Sequence, residues 1–343
     1  MALFGQDHGG TQFSNMPLYY NPAFTGLYDG FRMRFLTRNQ GPALETTFRS
    51  FHVSADVAAR SLPGSGGIGL VLNTDNEGIG FIQNYNLGVS FSARVPLSKS
   101  ILGQVGLKVA WLHKHIAWDD FAMSEKIKEQ YGNIYDSGFI WPDVNALDLP
   151  DFAIGGLVRF INKKGRVSGA VGVSVDHLFE PDVSFLQTES APLPRKWTAH
   201  ADVVWTVKCR AGTKSANENA LKINPAVVFQ RQGELNSLLA GLNATKYSLY
   251  LGVWYKGEFG LHNSSSLALL GGYRYVFAKD TSIKFTYSYD IPVSGMPATS
   301  GGAHEISIIL EFSNIKLFNN SARSSYRSAN SGSAGSQLAQ SAF

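Results

Sequence analysis

Apolar and polar residues alternate along most of the chain from residue 29 onward. In the stretch "SIKFTYSYD", Ile283, Phe285 and Tyr287 fall on one face of an extended chain, and Lys284 and Thr286 fall on the other. The stretch "HEISIILEF" near the end of the sequence has the same period. A period of two predicts β-strands with one apolar and one polar face.

Fourteen such runs, separated by Gly, Pro, Asn or Ser clusters, can be marked along the sequence. The predicted strands cover residues 29–39, 46–60, 66–74, 81–95, 101–118, 151–162, 166–178, 196–208, 219–231, 235–242, 246–256, 265–277, 281–290 and 303–313. Several have ten or more residues, which is longer than most strands of soluble sheets and close to the length that crosses a bilayer at a tilt.

The connections between predicted strands alternate between short and long. Short ones are residues 96–100, 162–166, 243–246 and 278–281, and long ones are residues 119–150, 179–195 and 291–302. Two connections weaken the pattern. Residues 211–218 are long for a position where a short turn is expected, and the break near Gly233 is short for a position where a long loop is expected. Outer-membrane barrels have short periplasmic turns and longer outer loops. The sequence therefore predicts an all-β protein, a transmembrane antiparallel barrel of about 14 strands with periplasmic termini.

Composition narrows the class of protein further. Charged residues are 16% of the chain, below the quarter usual for soluble domains, and aromatic residues are 12%. The sequence has no run of about 18 apolar residues, so membrane helices are excluded. The formal net charge of +4 is spread without a Lys/Arg block, so a nucleic-acid partner has little support.

A soluble two-sheet sandwich would also show alternation, and it is the main alternative to a barrel. Long strands, alternating loop lengths and aromatic residues near strand ends argue against it, since such aromatics form girdles at membrane interfaces. The aromatic residues assigned to these girdles are Trp111, Trp118, Trp254, Tyr273 and Tyr275.

A barrel of about 14 strands encloses a wide lumen. About eight strands already suffice for an interior filled by wall side chains, so a wider barrel is either plugged or conducts. The predicted organisation is an N-terminal periplasmic or plug segment over residues 1–28, a barrel over 29–313, and a tail over 314–343. The last 25 residues hold eight serines and no acidic residue, which is typical of a flexible periplasmic tail.

Catalytic and metal-binding patterns are weak throughout. His113 and His115 share one face of a predicted strand, but no third ligand of suitable kind is near. The acidic residues of the 119–150 loop lack the spacing of an EF-hand. Cys209 is the sole cysteine, which excludes an intramolecular disulfide. The sequence predicts no enzyme, no cofactor and no metal site.

The N-terminal stretch "MPLYYNPAFTG" has residues typical of a turn, since Pro22 fixes φ and Gly26 permits positive φ. It also belongs to a set of three ordered motifs. The matching residues are Gln12, Phe13, Ser14, Asn21, Pro22, Ala23 and Gly26, then Arg38, Asn39 and Gln40, then His304 and Glu305. Together they resemble the PorP/SprF family of Bacteroidetes outer-membrane proteins over about residues 10–313. Gly41 stands where the family usually has Trp.

This resemblance implies a non-enzymatic component of the type IX secretion system in the outer membrane, embedded in outer-membrane lipid. It implies docking of secreted adhesins, linked with gliding motility, through their C-terminal signal domains, and contact with the system's periplasmic lipoprotein ring. The alternative function is a passive porin or a channel for hydrophobic solutes.

Two groups of residues carry the site predictions. Adhesin contact is assigned to the long outer loop and its aromatic residues Trp118, Phe121, Tyr131, Tyr135, Phe139 and Trp141, since aromatic anchors suit interface hot spots. A compact plug or latch is assigned to the N-terminal segment and the family motif, through Asn21, Pro22, Ala23, Phe24, Gly26, His304 and Glu305.

Overall fold

The chain forms a closed antiparallel β-barrel of 14 strands, which confirms the predicted fold. The computed structural model describes residues 9–44, 47–59, 64–77, 82–118, 144–162, 166–186, 190–207, 220–260, 263–278, 280–295 and 298–315. The strands are β1 (Phe31–Gln40), β2 (Phe48–Ala58), β3 (Ser65–Glu77), β4 (Ile82–Ser98), β5 (Ile101–Ile116), β6 (Ala146–Ile161), β7 (Val167–Asp176), β8 (Lys196–Thr206), β9 (Lys222–Gln232), β10 (Leu235–Lys246), β11 (Leu249–Phe259), β12 (Ser264–Ala278), β13 (Thr281–Ser294) and β14 (Ala303–Phe312).

Each strand pairs with its neighbours in sequence, and β1 closes the ring on β14 with Phe31 opposite Phe312. Closure leaves no free sheet edge, which a membrane-spanning sheet requires. Within the described residues, no helix has the length and apolar character needed to span a membrane.

The two faces of the wall follow the predicted alternation. On β5, Val105, Leu107 and Val109 are exposed on the outer surface. Gln104 and Lys108, which alternate with them along the strand, are buried. Apolar residues therefore face outward and polar residues face the lumen, as expected for a membrane barrel.

The two ends of the barrel differ in their connections. At the short-turn end, where β1 begins and β14 ends, β4–β5, β10–β11 and β12–β13 are joined by two residues each. At the long-loop end, residues 117–145 join β5 to β6, and residues 177–195 join β7 to β8. The two predicted exceptions to the alternation of short and long connections are present. Residues 207–221 join β8 to β9 at the short-turn end, and a two-residue turn at Gly233 joins β9 to β10 at the long-loop end.

Two predicted boundaries near lumen-facing residues were wrong. The β10–β11 turn lies at Tyr247 and Ser248, not at residues 243–246. The reason is that Asn243 is buried inside the barrel, where it accepts a hydrogen bond from Trp254 Nε1 at 2.9 Å. β6 begins at Ala146, so residues 146–150 belong to a strand and not to the long loop.

The predicted interfacial position of Trp254 was also wrong. Its side chain is 1% exposed and faces the lumen, whereas Trp111, Tyr273 and Tyr275 are about half exposed on the outer surface.

Short helical turns shape the N-terminal segment before β1. They are a 3₁₀ turn (Phe13–Asn15), helix α1 (Pro17–Tyr20) and a second 3₁₀ turn (Pro22–Phe24). A third 3₁₀ turn (Ala298–Ser300) precedes β14. The N-terminal turns are almost entirely buried, and the strands that bury them surround the lumen.

Candidate functional site in the barrel lumen

Residues 9–28 run through the lumen from one end to the other, and we call this stretch the N-terminal segment. Gly9 accepts a hydrogen bond from Lys256 Nζ at 2.9 Å in the part of β11 near the long-loop end. Gly26 N donates to Asp56 Oδ2 at 2.9 Å in the part of β2 near the short-turn end. Residues 9–28 therefore lie inside the barrel.

A buried charge cluster of Arg38, Asp290 and Glu305 holds the start of the segment, and we call it the anchor. Thr11 N donates to Glu305 Oε1 at 2.7 Å, and Thr11 Oγ1 donates to Asp290 Oδ2 at 2.7 Å. Gln12 N donates to Glu305 Oε2 at 3.1 Å. Arg38 Nη1 bonds to both carboxylates, at 2.7 Å from Asp290 Oδ2. Charge-assisted bonds of this kind are the strong ones, so the anchor fixes the segment to β1, β13 and β14.

Asn21 holds the middle of the segment against the opposite wall. Its Oδ1 accepts from Ala23 N at 2.8 Å, which caps the second 3₁₀ turn. Its Nδ2 lies 3.2 Å from the carbonyl oxygens of Gly156 and Val173 and 3.0 Å from His200 Nε2. An amide side chain has both the donor and the acceptor that this position needs.

Glycines of the wall make room for the segment. A methyl group on Gly155 would overlap Asn21 Oδ1, and one on Gly106 would overlap the backbone of Pro22 and Ala23. Gly26 has φ of +64°, and a methyl group there would meet Gly66 and Gly67 of β3. Glycine inside a strand often marks such a close backbone approach.

The segment also has an apolar core. Phe13 packs edge-on to Tyr20 at 5.1 Å and to Phe24 at 6.3 Å between ring centroids, and Phe24 stacks on His200 at 4.9 Å. The buried Tyr20 hydroxyl donates to Gly10 O at 2.7 Å. Burial of several aromatic side chains stabilises the compact form of the segment.

Polar groups of β4 and β5 hold the end of the segment nearest the short turns. Thr25 O accepts from Ser92 Oγ and Gln104 Nε2, each at 2.7 Å, and Thr25 Oγ1 contacts Ser90 Oγ at 2.8 Å. The segment is therefore fixed at its start, middle and end by different sectors of the wall.

The structure brings most of the predicted plug residues together inside the barrel. Asn21, Pro22, Ala23 and Phe24 are buried, and Glu305 binds the start of the segment. His304 lies on the outward face of β14, where its Nδ1 is 2.7 Å from the Tyr287 hydroxyl, so it does not contact the segment.

Of the predicted adhesin-binding aromatics, only Trp118 lies in the described part of the chain. Its Nε1 donates to Val144 O at 3.0 Å, and its ring packs edge-on to Phe185 in the 177–195 connection at 6.1 Å. Trp118 thus joins two connections of the long-loop end. The others, Phe121, Tyr131, Tyr135, Phe139 and Trp141, lie outside the described residues.

Several residues of the site were missed from the sequence. Asp290 is the last residue of the predicted strand 281–290, and the sequence gave no sign that it binds a segment 279 positions away. Gly106 and Gly155 did carry a signal, since both interrupt long strands at lumen-facing positions. His113, which the sequence analysis considered but did not assign as a metal ligand, pairs with Asp148 at 2.8 Å on the outer surface. Among the described residues, no group of three or more His, Cys, Asp or Glu is placed to hold a metal ion.

Comparison with known proteins gives a family match over most of the chain. A family model described as "Type IX secretion system membrane protein PorP/SprF" matches residues 2–310. A sequence search of curated proteins gives no match.

Among solved structures, the chain is similar to the CymD monoaromatic hydrocarbon channel, with 10% identity, a TM-score of 0.42, and coverage of 88% of this chain and 93% of that one. It is similar to a Pseudomonas aeruginosa FadL homologue, with 10% identity, a TM-score of 0.44, and coverage of 89% and 96%. It is also similar to the Pseudomonas putida toluene transporter TodX, with 9% identity, a TM-score of 0.44, and coverage of 91% and 96%. Similarity at this level indicates nothing about a ligand of this chain.

Proposed function

Because this chain belongs to the type IX secretion system membrane protein PorP/SprF family, we propose that it is an outer-membrane scaffold for protein export, not a solute pore. In this role the barrel docks the C-terminal signal domain of a secreted adhesin at its long-loop end. It contacts periplasmic lipoprotein components of the system at its short-turn end.

The observation that carries this proposal is the N-terminal segment in the lumen. Its contacts with β2, β4, β6, β13 and β14 reach across the barrel. A segment tied to the wall at three levels obstructs diffusion through the barrel, so the remaining surfaces for function are its two ends. The short-turn end faces the periplasm in barrels of this kind.

The long-loop end is supported as the adhesin side by its size and its aromatic content. Residues 117–145 form its longest connection, and the aromatic residues assigned to it suit an interface. Trp118 and Phe185 pack together, which gives this surface a fixed base next to β5.

The test is recovery of an adhesin from native membranes with the tagged protein. The test variant replaces the aromatic residues of the long loop with Ser: Phe121, Tyr131, Tyr135, Phe139 and Trp141. The control replaces Leu186, which is 50% exposed in the neighbouring connection, with Ser. The proposal expects the adhesin to be lost with the loop variant and kept with the control. Equal recovery with both would remove the loop from the docking role.

The rival function is a passive porin or a channel for hydrophobic solutes. Its support is the polar lumen wall, with lumen-facing residues such as Ser54, Ser90 and Thr286 buried behind an apolar outer face. It predicts steady conductance or solute uptake by the intact chain, whereas the scaffold predicts neither.

A further inference from the structure

A group of cationic side chains on β1, β9, β12 and β13 faces the lumen near the short-turn end. Arg32 lies on β1, Lys222 begins β9, Arg274 lies on β12 and Lys284 lies on β13. We call them the inner basic cluster. They are far apart in sequence, and the closed ring of strands brings them to the same mouth of the barrel.

The carboxylate of Glu311 pairs with the two arginines of this cluster. Its Oε1 lies 2.9 Å from Arg32 Nη2, and its Oε2 lies 2.8 Å from Arg274 Nη2. Ser282 Oγ adds a third bond to Glu311 at 2.9 Å. Glu311 therefore binds two arginines and a hydroxyl group.

The surroundings of the two lysines differ from those of the two arginines. Lys284 Nζ lies 3.0 Å from Asn15 Oδ1 and 3.9 Å from the centroid of the Tyr250 ring. In the described part of the chain, no ion pair neutralises Lys222 or Lys284. The cluster thus carries an excess of positive charge.

Strand pairing places two of these cations directly opposite each other. Arg274 of β12 is the register partner of Lys284 of β13. Like charges in directly opposite positions of an antiparallel pair are destabilising. The single charge of Glu311 offsets only part of this repulsion, because Glu311 also pairs with Arg32, and an added anion would relieve the rest.

Part of the cluster is open to the aqueous mouth. The Arg274 side chain is 53% exposed, whereas those of Arg32 and Glu311 are below 10%. Lys222 is half-buried. Arg274 and Lys222 are therefore the reachable groups, and Arg32 and Lys284 add to the positive potential behind them.

Two sources of negative charge are disfavoured as the occupant. Lipid headgroups lie outside the wall, while these side chains face the lumen. Residues 316–343 of the chain contain no Asp or Glu. Asp280, in the nearby β12–β13 turn, already accepts bonds from Ser313 through its carbonyl and carboxylate.

We propose that the inner basic cluster binds the carboxylates of an acidic peptide segment that enters from the periplasmic side. Arg274 offers a planar fork suited to a carboxylate, and Lys222, on β9 at the same mouth of the barrel, offers a second cationic group. This inference rests on the proposed function for its side of the membrane and deepens it, because it gives the chemistry of the periplasmic contact.

The probe is a fluorescein-labelled hexaglutamate peptide, added to the full chain in detergent and followed by fluorescence anisotropy. The structure predicts saturable binding that weakens as sodium chloride is raised, and no binding of labelled hexaglutamine. The R274Q/K222Q double variant is expected to bind on the order of tenfold more weakly or worse, since two charge-assisted bonds are lost. R274K keeps the charge but lacks the planar fork, so it is expected to bind more weakly than the wild type and more tightly than the double variant.

The matched control is R195Q, which removes an exposed arginine at the opposite end of the barrel and leaves the affinity unchanged. Heat-dependent gel mobility verifies that each variant is folded. Equal affinity in the wild-type and double variant, or no binding at all, would overturn the proposal. Displacement of the peptide by inorganic phosphate, but not by chloride at equal ionic strength, would overturn it in favour of a small-anion site.

This experiment uses purified protein, whereas the proposed function is tested by adhesin recovery from membranes. Peptide binding with no loss of adhesin in the long-loop variant would contradict the adhesin docking and leave the acidic ligand in place. Loss of the adhesin in the long-loop variant, together with no peptide binding by the purified chain, would contradict the acidic ligand and leave the adhesin docking in place.

Discussion

Gly155 and Gly156 are neighbours in β6 with opposite surroundings. A methyl group on Gly155 would overlap Asn21 Oδ1 in the lumen, whereas the nearest atom to one on Gly156 is Gln104 O at 4.0 Å. G155A should therefore displace Asn21 and lower the free energy of unfolding by about 1–3 kcal/mol, the usual cost of overpacking. Denaturant unfolding followed by tryptophan fluorescence measures this difference.

G156A is the matched control for this substitution, with an expected change within about 0.5 kcal/mol. Equal destabilisation by the two variants would mean that the cost comes from the strand and not from the segment in the lumen.

Asp182 gives a pH-dependent signal in the 177–195 connection. Its carboxylate accepts from Ser184 N at 3.0 Å, Ala191 N at 2.9 Å and Ser190 Oγ at 2.7 Å. The Ala191 amide and these other donors lower the pKa of Asp182. The bonds are thus present above the ordinary pKa of Asp and are lost as pH falls through the lowered value.

Hydrogen exchange at the Ala191 amide, referred to its intrinsic rate at each pH, measures this loss. D182N should exchange faster than the wild type at neutral pH and lack the acid transition. E180Q in the same connection should keep the wild-type profile. A pH-independent protection factor in the wild type would contradict the assignment.

Single residues also explain where sequence reasoning failed. Asn243 and Trp254 bond to each other inside the lumen, yet each residue type suggests another place, a turn for Asn and a membrane girdle for Trp. A polar residue in a barrel sequence can face the lumen from a strand or lie in a turn. Only the register of β10 with β11 distinguishes these two positions. The motif residue Arg38 was noticed for its family pattern, but its buried partners 252 and 267 positions away were invisible to local patterns.

The N-terminal segment and its anchor behave as one element. R38Q should leave Asp290 and Glu305, which are 2% and 0% exposed, without their counter-ion. Breaking a buried ion pair by removing one partner costs about 3–5 kcal/mol. The temperature at which the barrel loses its compact gel mobility should therefore fall clearly in R38Q.

R49Q is the control for this change, since Arg49 is exposed on the neighbouring strand β2 and lies opposite Asn39. R38Q combined with D290N should recover part of the lost stability, because one uncompensated charge is removed. A gel transition in R38Q equal to that in R49Q would show that the anchor contributes nothing.

The strands were predictable as elements, whereas the path of the N-terminal segment was only partly so. A period of two is clear in strands such as β1, β5 and β14, because lipid faces one side and the lumen the other. Turn residues such as Pro22 and Gly26 indicated a compact segment. Its crossing of the lumen depends on the anchor and on wall glycines, which only the assembled barrel brings together.

The whole molecule is an outer-membrane barrel of the PorP/SprF family with two different ends and its own N-terminal segment between them. The long-loop end has large connections, and the short-turn end has the inner basic cluster. This division suits contact with partners on both sides of the membrane better than movement of solutes through the lumen.

Ionic current across a planar bilayer tests this view of the molecule most directly. The wild-type chain is compared with a variant lacking residues 9–28, with heat-dependent gel mobility verifying that both are folded barrels. The obstructed lumen predicts no steady current above leak for the wild type and a steady current for the variant. A steady wild-type current equal to that of the variant would contradict the account and favour the channel.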